Sequence, residues 1–131
     1  MNRLIVAIIA AIATFICLPA GHARTSNTEQ MLSLSPETRL EQRCNARAMG
    51  IVGREHRDFH PDEFVAYAFA DPLVHGNSIK APGGAVRSRG KWFHVSYECQ
   101  TTADGLDVES FSYSLGSVIP RDLWAEHFLV P

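Results

Sequence analysis

Two cysteines constrain this chain more than any other feature. Cys44 sits in LSPETRLEQRCNARAM, where Leu40, Cys44, Ala48 and Ile51 recur at spacings of four, four and three. Residues so spaced share one face of a helix. Cys99 closes KWFHVSYEC, in which Phe93, Val95, Tyr97 and Cys99 alternate with Trp92, His94, Ser96 and Glu98. That period of two describes a half-buried strand. Half-cystine Cα atoms lie about 5.5–6 Å apart, so a bond between the two would press the helix's apolar face onto the strand. Two free thiols, or two metal-bound ones, are the other states open to the pair. There is no CxxC spacing here, nor a histidine close enough to suggest a zinc knuckle.

The first residues bear on which state applies. Met1-Asn2-Arg3 is a short cationic start, and Leu4 to Leu18 is a run of fifteen residues without a charge. Pro19 breaks the run, and Gly21-His22-Ala23 gives a small-x-small exit. This pattern is that of a secretory signal peptide over residues 1–23, with cleavage expected after Ala23. A membrane-spanning helix needs about twenty apolar residues, so an uncleaved N-terminal anchor is the weaker reading. No stable span is expected after cleavage. Cys17 lies inside the run behind Ile16, not the small residue that lipoprotein processing requires, and is expected to leave with the leader. An even pair of cysteines in an exported chain is by default one disulfide, here Cys44–Cys99. It would close a loop of about 55 residues, worth roughly 4 kcal/mol on the chain-entropy account.

Residues 24–34 are mostly polar and read as a flexible tether, leaving 35–131 as a single domain. Ser35-Pro36-Glu37 starts a helix: a hydroxyl cap, proline in the first turn, and an acid at the positive end of the dipole. The helix should run to Val52 or Arg54, with Gly53 as a plausible stop. Ser78–Ala81 and Ala85–Arg87 look like short strands around Pro82-Gly83-Gly84. Residues 64–70 are ambiguous between helix and strand. From Leu106 the alternation changes parity: Leu106 and Val108 are even, Phe111, Tyr113 and Leu115 odd. Both sets face one core only if an extra residue intervenes, which predicts a β-bulge near Glu109-Ser110. Pro120 to Trp124 opens a short closing helix. The expected fold is α+β: an N-terminal helix on a small antiparallel sheet, a short C-terminal helix and one disulfide.

Charge and motifs narrow the function. Twelve basic against fourteen acidic side chains give a net charge of −2, which argues against nucleic acid as a partner. Arg87, Arg89 and Lys91, followed by Trp92 and His94, surround a hairpin tip. They form the candidate binding surface, with cations for phosphate or carboxylate and Trp92 as a stacking plate. The alternative is a charged tip that keeps strand edges soluble, which is common, with Trp92 covered by the C-terminal helix. Arg39, Arg43 and Arg47 fall four apart on the helix, with Arg54 one heptad beyond. Such a stripe can meet lipid headgroups or anionic polysaccharide, although charge runs usually only solvate a face. His56, Asp58 and His60 are weak metal candidates, with no recognised ligand spacing. No metal or other cofactor is expected. GxSxG and glycine-rich phosphate loops are missing, so no catalytic residue is assigned. A carboxylate pair remains open, because its geometry is spatial.

LSPETRLEQRCNARAM, HPDEFVAYAFADPLVHGNSIKAPGGAVRSRGKWFHVSYEC and VESFSYSLGSVIPRDLWAEHFL, taken in order, resemble the family called domain of unknown function 930. The resemblance spans about residues 31–129. It implies an alphaproteobacterial, envelope-facing periplasmic domain, whose longer relatives set it behind a membrane segment and a proline-rich spacer, as TonB-like proteins do. This chain lacks that spacer. Both cysteines occupy family positions, which implies the bridge. The family name carries no activity, so no functional residue transfers. The resulting expectation is an exported, non-catalytic module that binds an envelope component or a periplasmic protein. The alternative is a metal-assisted or carboxylate-based hydrolase of cell-wall polymer. A structural or stress-related envelope protein without a small ligand is a third reading.

Overall fold

The computed structural model describes residues 26–131. The leader calls, including Cys17 and cleavage after Ala23, lie outside the described residues. Where composition suggested a tether, residues Asn27–Leu32 form a six-residue helix, α1. Ser26 and Glu29 make a reciprocal capping box: Glu29 N–H donates to Ser26 Oγ (3.2 Å) and Ser26 N–H to Glu29 Oε2 (2.8 Å). Arg39 reaches back to this segment, donating to the carbonyls of Met31 (2.8 Å) and Leu34 (3.0 Å).

Helix α2 spans Pro36–Glu55. It starts as its sequence dictates, with Thr38 N–H donating to Ser35 Oγ (3.3 Å). It does not stop at Gly53. The helix continues two residues further, and Pro61 packs against the bare Gly53 Cα, where a Cβ would lie 3.2 Å from the proline Cδ. The buried face carries Leu40, Cys44, Asn45, Ala48 and Val52. Asn45 is a polar residue in that stripe, and Tyr97 satisfies it by donating its hydroxyl proton to Asn45 Oδ1 (2.8 Å).

Five antiparallel strands make one sheet: β1 Pro61–Val65, β2 Leu73–His75, β3 Ser78–Ser88, β4 Lys91–Thr101 and β5 Val108–Val118. Their order is β1-β3-β4-β5, with β2 pairing the far half of β3 beside β1. The ambiguous residues 64–70 are neither helix nor strand throughout: strand β1 ends at Val65 and turns follow. The expected bulge is present at Glu109, between the pairs Gln100↔Ser110 and Thr101↔Val108. A second occurs at Gly116-Ser117, between Val95↔Leu115 and Phe93↔Val118. The two short strands expected around Pro82 are one strand, β3, with a bulge at Pro82-Gly83 between Ala81↔Tyr97 and Gly84↔Val95.

Helix α2 lies on the sheet, and Cys44 is bonded to Cys99 with Cα atoms 6.1 Å apart. Around the bond, Leu40, Ala48, Ala66, Ile79, Ala81 and Tyr97 form one core. A second core lies on the opposite sheet face at the other end, where Val65, Ala68, Ala85, Trp92, Ile119, Trp124 and Leu129 meet. The closing helix is two successive 3-10 turns, Arg121–Leu123 and Ala125–His127, that fold the C-terminus over this end.

The Pro82-Gly83 bulge brings Gly83 against the 66–70 turns. Phe69 N–H donates to Gly83 O (2.8 Å), and a Cβ on Gly83 would lie 2.4 Å from Ala70 N. Backbone cannot swing aside as a side-chain tip can. Gly83→Ala is therefore expected to destabilise the protein by about 2–3 kcal/mol, read as a lower denaturant midpoint at unchanged m-value. An unaltered midpoint would mean that this contact is looser than described.

Candidate binding surface

The five residues expected at the hairpin tip do not converge. Arg89 and Gly90 form the two-residue loop, both with positive φ (52° and 72°), as the mirror-image turns of tight hairpins require. Arg89 Nε donates to Asp58 O (3.1 Å), and its guanidinium also meets the His60 ring. Arg87 is not a free cation. It pairs with Asp62 (2.9 Å) and Glu63 (3.0 Å) and donates to the carbonyl of Pro131 (2.9 Å). These partners hold its pKa above the ordinary arginine value, the hydrogen bond to Asp62 contributing most.

Trp92 is not a stacking plate. It is fully buried, its Nε1 donates to Val130 O (2.8 Å), and Arg87 sits over its ring at 5.7 Å. Parity correctly puts Trp92 on the face away from α2, but the C-terminal segment covers that face. His94 shares the face and packs on Phe69 (4.5 Å between ring centroids), which stacks in turn on His127 (3.9 Å). Arg89 and Lys91 are both exposed without an ion pair among the described residues, and of the two only Lys91 also lacks a side-chain hydrogen bond there.

A different surface is open. The C-terminal turns cover only one end of the sheet's second face, and the rest forms a shallow trough along β4. Ser110, Ser112 and Ser114 on β5 stand opposite Gln100, Glu98 and Ser96 on β4, in one polar row. Lys80 on β3 faces Glu98 and forms an ion pair with it (2.6 Å). At the β2 end the groove encloses about 440 Å³ and is lined by Leu73 and His75 with Lys80, Glu98, Gln100 and Ser112. It continues past Pro82, Ser96 and Ser114 towards Phe69 and His94. Leu73 is 64 % exposed, an apolar lip beside the polar row.

Comparison with known proteins places the chain. The family model Domain of Unknown Function (DUF930) matches residues 31–129. The chain belongs to the DUF930 family. No curated protein and no solved structure matches it. The match covers α2, the whole sheet and the C-terminal turns, so both cores fall within the DUF930 domain.

The remaining candidates in this DUF930 domain have structural partners. His56 Nε2 lies 3.1 Å from the hydroxyl of Tyr113, which donates to Glu55 Oε2. Burial, and then the hydrogen bond and charge of Glu55, push the Tyr113 hydroxyl up to about 12, so it stays protonated and braces the end of α2 against β5. His60 N–H donates to Ser88 Oγ (2.8 Å), while Asp58 offers its backbone carbonyl to Arg89. Among the described residues, no three His, Cys, Asp or Glu side chains gather as a metal site, so His56, Asp58 and His60 do not form one. Nor is any described helix long and apolar enough to cross a membrane.

The trough escaped sequence reasoning because serines on an exposed strand carry no motif. The one available signal was the alternation SFSYS, in which Ser110, Ser112 and Ser114 share a face.

Proposed function

We propose that this DUF930 domain is an exported, periplasmic binding module without catalysis of its own, and that it contacts a neutral, hydroxyl-bearing envelope polymer through the β4–β5 trough. The observation that carries this reading is the unbroken polar row Ser96, Glu98, Gln100, Ser110, Ser112 and Ser114 beside an apolar lip. Serine hydroxyls and the glutamine amide both donate and accept, as the hydroxyls and amides of a glycan do. The Lys80–Glu98 pair cancels in charge, which favours a neutral ligand over an anion. Leu73 offers apolar surface to the face of a sugar ring. The bonded cysteines suit an oxidising compartment and accord with the leader-like N-terminus.

Titrating the purified protein with solubilised cell-wall glycan should shift the amide resonances of Ser96, Gln100, Ser110 and Ser112. Ser112→Arg, at an exposed position, should leave the melting temperature within a degree or two and weaken binding at least tenfold. Shifts elsewhere, or none, would defeat the trough as the contact surface. Cleavage of the glycan would replace the binding reading with the hydrolase.

A further inference from the structure

The arginine stripe of α2 is not uniform. Arg39 is engaged with backbone carbonyls at Met31, Leu32, Leu34 and Asp104. Arg43 gives its Nε to Leu106 O and keeps its terminal nitrogens uncommitted among the described hydrogen bonds. Arg47 and Arg54 are exposed. Among the described residues none of Arg43, Arg47 and Arg54 is ion-paired, and Glu37 and Glu41 do not neutralise them.

These three arginines line one groove of about 310 Å³. Ala46 and Gly50 form its floor on the helix, and Asp107 and Val108 form the facing wall at the start of β5. The floor is open because of Gly50: a Cβ there would come within 3.3 Å of Arg54 Nη1 and crowd the guanidinium. Like charges four apart on a helix repel one another and destabilise it. Arg39 offsets this with its carbonyl contacts, whereas Arg47 has no hydrogen-bond or ion-pair partner among the described residues. Three guanidinium groups against one carboxylate leave a net double positive charge in the groove. Guanidinium forks match the paired oxygens of phosphate, and a phosphate monoester approaches two negative charges at neutral pH.

We infer that the groove between α2 and the start of β5 is a binding site for a phosphate-bearing anion, held by Arg43, Arg47 and Arg54. It lies on the helix side of the sheet, opposite the glycan trough, and does not depend on that reading. The phosphate is carried either by a small soluble compound or by a phospholipid headgroup, and the two sources are separable.

The test uses the purified protein, inorganic pyrophosphate, and vesicles of neutral phospholipid with and without about one-third anionic phospholipid. Pyrophosphate should shift the resonances of Arg47, Gly50, Arg54 and Val108, with binding that weakens as salt rises. The double variant R47Q/R54Q should lose at least tenfold in affinity at an unchanged melting temperature. The charge-matched control R57Q/K91Q should lose less than twofold. Pyrophosphate binding without sedimentation on anionic vesicles assigns the site to a soluble phosphate compound; binding to both assigns it to a headgroup. Equal losses in the two variants, or no binding of either probe, would overturn the site and leave the trough proposal standing.

Discussion

Breaking the Cys44–Cys99 bond is expected to lower the unfolding free energy by about 4 kcal/mol, the chain-entropy value for a closed loop of about 55 residues. At about 4–8 °C per kcal/mol for a domain of this size, the melting temperature should fall on the order of 20 °C. Stability of this kind totals only about 5–15 kcal/mol, so the bond is a large fraction of the whole. The double variant C44A/C99A shows the effect cleanly. Reductant should act slowly on the native protein, because both cysteines are buried and the thiol must wait for α2 to lift. Equilibrium denaturation of the variant beside the parent is the measurement. A loss below about 1 kcal/mol would mean that apolar packing, and not the cross-link, holds α2 on the sheet.

Trp92→Ala should cost about as much, in the range of about 3–5 kcal/mol for emptying a large buried aromatic site. The substitution removes the centre of the second core and leaves Val130 O with only the long contact (3.5 Å) from Arg87 Nη1. It also takes away the ring beneath Arg87, the residue that ties β1 and the C-terminus together. Trp92→Phe should recover much of the packing but not the hydrogen bond, and so fall between. Chemical denaturation decides the matter. A change within about 0.5 kcal/mol, typical of exposed positions, would place the indole in solvent and restore it as a ligand platform.

The elements that were legible are those whose causes are local. Ser35-Pro36 starts α2 because a cap and a proline act on their own first turn. The bulge at Glu109 shows as a change of parity because β5 has only one face against the core there. The bulge at Pro82-Gly83 was hidden for the opposite reason. Ala85 and Val86 are both fully buried, one under the C-terminal segment and the other on the helix side, so alternation carries no signal. Gly53 looked like a stop because its propensity is poor; Pro61, packed on its bare Cα, is a tertiary contact that propensity does not register.

The candidate surface was the least legible part, again for a physical reason. Cations two apart in sequence suggest one patch, but the hairpin loop at Arg89-Gly90 sets Arg87 opposite Trp92 and Lys91 opposite Ser88, on different faces, and Arg87 and Arg89 find partners far along the chain. Asp62 precedes Arg87 by 25 residues and Pro131 follows it by 44. The arginine stripe on α2 was visible as a spacing. Which of its members stay unpaired depends on carbonyls at Leu106 and Asp104, more than sixty residues away.

Sequence by itself determined the amphipathic helix, the long central strand, their contact through the cysteines and the family. The helix and the strand follow from periodicity and end capping, which act over one or two turns of backbone; their contact follows from the pairing of two cysteines, and the family from the resemblance of whole ordered motifs. Tertiary structure decided between the two readings of Trp92, in favour of a C-terminus folded over it, and alone decided that Arg87 is a tie and not a ligand and that the serine row stays open. Burial and ion pairing are set by whichever distant segment lands on a face, and no local pattern encodes that.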